Sequence, residues 1–124
     1  MPLITIDGNS LTLEDVGAVA QGARVAIADG VLERVAASRA VVENILTGDA
    51  AVYGINTGFG KLSDMRIRAE DLRTLQLNLV RSHSCGVGEP LSREATRSML
   101  LLRANVLAKG FSGVRPVVLE TLVA

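Results

Sequence analysis

The segment Val52-Tyr53-Gly54-Ile55-Asn56-Thr57-Gly58-Phe59-Gly60 is the most informative part of this sequence. It contains the only tyrosine of the chain, one of its two phenylalanines and three glycines. Glycine adopts positive φ angles readily and allows a close approach of the backbone to other groups. A phenol on such a backbone is presented to its surroundings rather than packed into a core. Tyr53 is therefore the first candidate functional residue.

The overall composition is that of a globular chain. Hydrophobic residues make up 48% of the 124 residues and charged residues 21%, as in folded domains. The 13 basic and 13 acidic residues cancel, so the basic excess of an electrostatic nucleic-acid binder is absent. The most apolar segment, Met99–Leu107, is interrupted by Arg103 and Asn105 and is too short to span a bilayer. We expect neither a nucleic acid nor a membrane as partner.

Cysteine usage and the N-terminus favour a cytoplasmic location. Cys85 is the only cysteine, so no internal disulfide can form, which fits a reducing compartment. The N-terminal stretch Met1–Asp7 lacks a basic region and a long apolar run, so we expect no signal peptide.

The periodicity of apolar residues predicts a mainly α fold with short β-elements. Thr12 and Asp15 have the spacing of a variant capping box, and Ser92 is a good N-cap. No sustained period covers Asp49–Arg68, and a loop of that length is usually functional or disordered. The predicted elements are strands at Leu3–Ile6 and Arg24–Ile27, and helices from Thr12 to about Gln21, over about Gly30–Leu46, over about Glu70–Ser82, from Ser92 to Lys109 and from Pro116 to the C-terminus.

The last predicted helix is apolar on nearly every side. Such a helix expects burial on several faces, so the chain looks cut rather than finished. Exposed apolar surface of this kind otherwise marks an interface. An interaction module that binds a larger partner through this helix is therefore one functional hypothesis.

The segment Gly58-Phe59-Gly60-Lys61 invites comparison with a phosphate-binding loop. In a Walker A motif, the first glycine would stand where this chain has Ile55, and the magnesium-binding hydroxyl where it has Leu62. Ser63 occupies the place of the third glycine of a dinucleotide-binding motif. These mismatches exclude both motifs.

The sequence leaves more than one interpretation open for His83, Cys85 and Tyr53. One histidine, His83, beside one cysteine, Cys85, is too few ligands for a metal site, so we predict no metal. A lone histidine near a helix end is more often structural, and a Cys-His nucleophilic pair would depend on the turn at Gly86. A tyrosine, with an ordinary pKa of about 10, acts as a base only when that pKa is lowered. Packing of the Tyr53 ring is an equally good interpretation.

A resemblance to one family shifts this balance. The loop Val52–Gly60 resembles the Tyr-Gly-x-Asn-Thr-Gly-Phe-Gly loop of the aromatic amino acid ammonia-lyases. The segments Leu75–Gly88, Arg103–Asn105 and Lys109–Arg115 are similar to the segments that follow in that family, in the same order. The resemblance covers essentially the whole chain and implies the N-terminal helical part of such an enzyme, without its central helical bundle.

The resemblance implies roles for individual residues. Tyr53 matches the catalytic base that removes the β-proton of the substrate, and His83 matches a residue that contacts the substrate side chain. The pair Ser82-His83 matches the histidine-specific branch of the family, which eliminates ammonia from L-histidine to give trans-urocanate in histidine catabolism. The loop-shaping positions are Gly54, Asn56, Thr57, Gly58 and Gly60, and Gly60 is expected to allow a close backbone approach.

The resemblance also implies a cofactor and an assembly. The family builds its electrophile, 4-methylidene-imidazol-5-one (MIO), from an Ala-Ser-Gly tripeptide, and each active site draws on several subunits of a homotetramer. This chain has no Ala-Ser-Gly; Ala37-Ser38-Arg39 and Phe111-Ser112-Gly113 are its nearest sequences. We therefore expect the chain alone to be inactive. The alternatives are a tyrosine- or phenylalanine-specific lyase fragment and a non-catalytic remnant acting as an interaction module.

Overall fold

The computed structural model describes residues 2–124, so Met1 of the N-terminal stretch interpreted above lies outside the described part. The chain divides into two compact units, one formed by residues up to Val41 together with Pro90–Ala124 and the other by Val42–Glu89. The predicted mainly α architecture is confirmed, and the boundaries lie close to the predicted ones. The elements are β1 (Leu3–Ile6), α1 (Leu13–Ala20), β2 (Arg24–Ile27), α2 (Val31–Thr47), α3 (Ala69–His83), α4 (Arg93–Ala108) and α5 (Pro116–Val123).

In the first unit, the two strands form a parallel pair. Leu3 lies opposite Arg24, and Ile6 lies opposite Ile27. Parallel neighbours need a crossover connection, and α1 lies in that connection. Helix α1 packs against α4, α4 against α5, and α5 against β2.

The core of this unit lies where the two strands meet α1, α4, α5 and the start of α2. Its buried side chains are aliphatic, so burial of apolar area provides the main stabilisation. They are Ile6, Val19, Ala23, Val31, Val35, Leu101, Ala104, Leu107, Ala108 and Leu119.

The predicted helix caps are confirmed. The Thr12 hydroxyl accepts from the amide of Asp15 at 3.2 Å, and the Asp15 carboxylate accepts from the amide of Thr12 at 3.0 Å. The Ser92 hydroxyl accepts from the amide of Ala95 at 3.2 Å. These bonds satisfy amides that the first turn of a helix leaves without a backbone partner.

Two arginines that sequence analysis did not single out satisfy carbonyls of the first unit. Arg97 donates from Nε to the carbonyl of Val19 at 2.6 Å and from Nη2 to that of Ala23 at 2.8 Å. Arg34 donates from Nη2 to the carbonyl of Ala108 at 2.9 Å. The carbonyls at a helix C-terminus lack intrahelical partners, so each arginine ties a helix end to a distant part of the chain.

Helix α5 buries one face only within its unit. Leu119 is buried, whereas Val117 and Val118 are exposed.

Among the residues described, no helix is long and apolar enough to cross a membrane.

The second unit consists of the end of α2, the predicted long loop and α3. The loop contains one 3₁₀ turn, Gly60–Leu62, and an isolated antiparallel bridge between Thr57 and Arg66. Arg66 also forms an ion pair with Asp49, with Nη1 and Oδ1 3.0 Å apart. No residue of α3 is fully buried.

Candidate active site

The side chain of Asn56 stabilises the backbone of the segment Val52–Gly60, here called the tyrosine loop. Asn56 is 3% exposed. Its Oδ1 accepts from the amide of Val52 at 2.8 Å, and its Nδ2 donates to the carbonyl of Ala50 at 2.9 Å. A buried side-chain amide is stabilised when its oxygen accepts a hydrogen bond and its nitrogen donates one. The Asn56 side chain therefore ties the backbone that precedes Tyr53 to a residue that follows it in the loop.

The segment that follows is fastened to the residues before α3. Ile67 donates its amide to the carbonyl of Asn56 at 2.8 Å, and Gly58 donates to that of Met65 at 3.2 Å. The buried Thr57 hydroxyl donates to the carbonyl of Gly58 at 3.0 Å. This pairing fixes the second half of the loop, from Asn56 to Gly58.

The three loop glycines have different roles. A Cβ on Gly58 would lie 2.6 Å from Cβ of Leu62 and 2.9 Å from its carbonyl oxygen. Gly54 and Gly60 have positive φ angles, 79° and 60°, but a Cβ on either would meet no atom within 4 Å. Within the described residues, a close approach is found at Gly58, because the 3₁₀ turn carries Leu62 back over Gly58. The close approach expected at Gly60 stays a prediction.

Tyr53 is 64% exposed. Its ring centroid lies 6.2 Å from that of Phe59, in an edge-to-face arrangement with the planes at 73°. Within the part of the chain that the structure describes, its hydroxyl makes no hydrogen bond. A ring in this position can deliver its hydroxyl to a molecule outside the unit. Sequence analysis gave Phe59 no role, because the ring contact depends on the course of the loop.

His83 is the last residue of α3, and its side chain is exposed. Its Nδ1 lies 2.9 Å from the carbonyl oxygen of Leu79 and 3.0 Å from Oγ of Ser82. The Ser82 hydroxyl donates to the same carbonyl at 3.0 Å. The sequence signal for the contact between the His83 ring and the Leu79 carbonyl is the spacing of four residues, which places the two on the same face of a helix.

The structure gathers the predicted site residues into two clusters, one around Tyr53 and one around His83. Among the described residues, no hydrogen bond or ring contact joins the two. Cys85 is exposed, and its thiol forms no hydrogen bond with His83. The described residues contain no group of three or more His, Cys, Asp or Glu placed to hold a metal ion. Lys61 lies in the 3₁₀ turn rather than at the start of an α-helix, unlike the lysine of a phosphate loop.

An open cleft of about 600 Å³ lies in the first unit. Three charged residues line this cleft: Arg24, Arg97 and Glu120. The rest of its lining is mainly aliphatic. None of the predicted site residues lines it. Tyr53 and His83 are exposed residues of the second unit.

Comparisons with known proteins agree on one family. The histidine ammonia-lyase of Bacillus subtilis (strain 168) is 52% identical over 123 residues, which are 98% of this chain and 24% of that protein. The crystal structure of histidine ammonia-lyase from Trypanosoma cruzi superposes with a TM-score of 0.86 and 44% identity, over 98% of this chain and 23% of the other. Tyrosine aminomutase from Streptomyces globisporus gives a TM-score of 0.90 and 37% identity, over 98% of this chain and 23% of the other.

This chain therefore spans about a quarter of the length of the relatives it matches. The sequence model for aromatic amino acid lyases matches residues 11–124, which is most of the chain. The chain belongs to the aromatic amino acid lyase family.

Proposed function

We propose that this sequence forms part of a histidine ammonia-lyase, which eliminates ammonia from L-histidine to give trans-urocanate. The observation that carries the proposal is the exposed Tyr53 ring on a loop whose backbone is fixed by the buried Asn56. The 52% identity to a histidine ammonia-lyase supports the choice of substrate.

In this elimination, a base takes the β-proton of the substrate and the amino group leaves from the neighbouring α-carbon. The electron pair of the broken C–H bond forms the new carbon–carbon double bond, and the pair of the C–N bond leaves with the nitrogen. We assign the base to the phenolate oxygen of Tyr53, which receives the β-proton and becomes the hydroxyl. A base must reach its proton at hydrogen-bond distance, and the exposed phenol oxygen of Tyr53 is free to do so.

We assign recognition of the substrate side chain to His83 with Ser82. Both are exposed at the end of α3. The resemblance to the histidine-specific branch rests on this pair. Tyrosine- and phenylalanine-specific members remain the alternative within the family.

The MIO group of the family supplies an electrophile that activates the amino group for departure. The residues of this chain do not fit its formation. Ser38 lies inside α2 and its hydroxyl accepts from the amide of Gly113 at 3.0 Å, while Ser112 is preceded by Phe111 rather than alanine. No step through MIO is therefore derived from these residues, and the electrophile would come from another part of the protein.

A chimeric enzyme tests the proposal. In it, this chain replaces the 123-residue segment that it matches in the Bacillus subtilis histidine ammonia-lyase, and urocanate is followed by its ultraviolet absorbance. We expect turnover of L-histidine. Changing Tyr53→Phe retains the ring but removes the hydroxyl, and should lower kcat by about 10² to 10⁴. Unchanged kcat in that variant would refute the role of Tyr53.

The chimera also tests the substrate. Replacing Ser82→Leu should weaken the use of histidine relative to tyrosine and phenylalanine. A chimera that assembles like its parent but turns over no histidine would contradict the proposed function itself.

The isolated chain should produce no urocanate, because it lacks the electrophile. Turnover above background would overturn this expectation. We further propose that the complete protein is a cytoplasmic homotetramer.

The competing hypothesis, an interaction module, draws on the exposed Val117 and Val118 of α5. It would gain support if the chain formed a stable complex with another protein through that helix, and lose it if Val117→Ser and Val118→Ser left such binding unchanged.

A further inference from the structure

The three polar atoms around the ring of His83 restrict where its proton can lie. Nδ1 of His83, Oγ of Ser82 and the carbonyl oxygen of Leu79 form a triangle with edges of 2.9, 3.0 and 3.0 Å. A neutral imidazole has one nitrogen that donates and one that accepts. A carbonyl oxygen can only accept.

If Nδ1 carried a lone pair, it would face the lone pairs of the Leu79 carbonyl at 2.9 Å. That contact is repulsive. If Nδ1 carries the proton, it donates to this carbonyl. The Ser82 hydroxyl gives its single proton to the same carbonyl, so the lone pairs of Oγ also face the Nδ1 proton. Every contact of the triangle is then compatible with the Nδ1–H form.

We propose that the Leu79 carbonyl, with help from Ser82, holds His83 as the Nδ1–H tautomer, so that Nε2 is an outward-facing hydrogen-bond acceptor. Nε2 forms no hydrogen bond within the described residues, and the side chain is exposed. A ligand that binds to Nε2 must therefore offer a hydrogen-bond donor. In this arrangement Ser82 contributes to recognition of the substrate as a positioning residue, by acting on His83.

The second part of the inference rests on the proposed function. When L-histidine is the substrate, its ring N–H is the donor that meets Nε2. A phenylalanine ring has no such donor and leaves Nε2 without a partner. A site with a hydrogen-bond acceptor such as Nε2 discriminates against a substrate without a donor, because binding of that substrate leaves the desolvated acceptor unpaired.

The tautomer can be measured on the chain itself, because His83 is its only histidine. The protein is labelled with ¹⁵N in the imidazole ring, and long-range ¹H–¹⁵N correlation spectra are recorded at alkaline pH, where imidazole is neutral. The same chain in concentrated urea provides the reference. Free histidine prefers the proton on Nε2, so the two states are distinguishable.

We expect Nδ1 of the native chain to show the chemical shift of a protonated nitrogen and Nε2 that of an unprotonated one. Ser82→Ala should keep Nδ1–H as the major form but with a smaller excess, because one acceptor is lost. Ser84→Ala, in which the removed hydroxyl donates to the carbonyl of Val80, should leave the ratio unchanged. A spectrum dominated by Nε2–H, or one equal to that in urea, would overturn the proposal.

The acceptor role is tested separately in the chimera. L-histidine is compared with β-(2-thienyl)-L-alanine, whose five-membered ring has no N–H. The preference for histidine in kcat/KM should fall at least about tenfold in His83→Ala, because the hydrogen bond is lost for histidine only. An unchanged preference would refute the role of Nε2. Loss of all activity in the unmodified chimera would instead count against the proposed function and leave the measured tautomer standing.

Discussion

The edge of one aromatic ring meets the face of the other at Tyr53 and Phe59, with centroids 6.2 Å apart and planes at 73°. The positive edge of one ring is attracted to the negative face of the other in this geometry. Tyr53 is largely exposed, so few other side chains restrict its ring. Phe59 therefore contributes to the orientation of the proposed base.

Replacing Phe59→Leu in the chimera should lower kcat while leaving KM nearly unchanged. An edge-to-face pair contributes about 0.5–1.5 kcal/mol beyond its buried area, so we expect a loss of about two- to tenfold. The loss should be far smaller than that of Tyr53→Phe. Steady-state kinetics with L-histidine measure it.

The chain provides a matched control in its second phenylalanine. Phe111 is 88% exposed, and Phe111→Leu should leave kcat unchanged. Equal effects of the two substitutions would show that the ring contact has no role in catalysis.

Local patterns allowed most of the fold to be predicted. The Thr12–Asp15 box, the Ser92 cap and the positive-φ Gly110 after α4 are short-range features, and their physical causes lie within a few residues. The arginine contacts could not be predicted in the same way. Arg97 reaches a carbonyl 78 residues away, and only the packing of α1 on α4 brings the two together.

The same distinction holds for the candidate site. The residues of the tyrosine loop were identified from their motif, but the close approach of Leu62 to Gly58 was not predicted. Its position depends on the 3₁₀ turn, which has no periodic signal. The prediction also ended α3 at about Ser82, whereas the helix includes His83. That extra residue places the imidazole against the carbonyl of Leu79.

Replacing Asn56→Ala should destabilise the tyrosine loop. The amide of the half-buried Val52 would lose its acceptor, at a cost of about 1–3 kcal/mol, whereas the exposed Ala50 carbonyl can bind water. Protection of the Ile67 amide, which donates to the Asn56 carbonyl, should fall about ten- to a hundredfold in hydrogen exchange. Asn78→Ala, at an exposed position of α3, should leave that protection unaltered; equal losses would contradict the role of the Asn56 amide.

Replacing Gly58→Ala should also destabilise the loop, by about 1–3 kcal/mol. Its Cβ would lie 2.6 Å from Cβ of Leu62, which forces the 3₁₀ turn to move. Gly86→Ala is the matched control, because a Cβ there meets no atom within 4 Å. Urea denaturation followed by fluorescence of Tyr53, the only tyrosine, compares the two. A tolerated alanine at residue 58 would show that the turn shifts without cost.

The turn after β1 should make the stability of the first unit depend on pH. The amides of Asn9 and Ser10 donate to the Asp7 carboxylate at 2.7 and 2.8 Å, and they lower the pKa of Asp7 below its ordinary value of 3.8. A carboxyl group whose pKa is lower in the folded state stabilises that state above the unfolded pKa. The contribution is lost as the pH falls through the folded pKa.

Asp7→Asn isolates this contribution, because the amide retains an acceptor oxygen but does not ionise in this range. The free energy of unfolding of the wild type should exceed that of the variant by a constant amount above about pH 5. The difference should shrink as the pH falls below 3.8. Urea denaturation of both proteins between neutral and acidic pH measures it. A difference that stays constant down to the lowest pH would show that the Asp7 charge does not contribute to the stability of the turn.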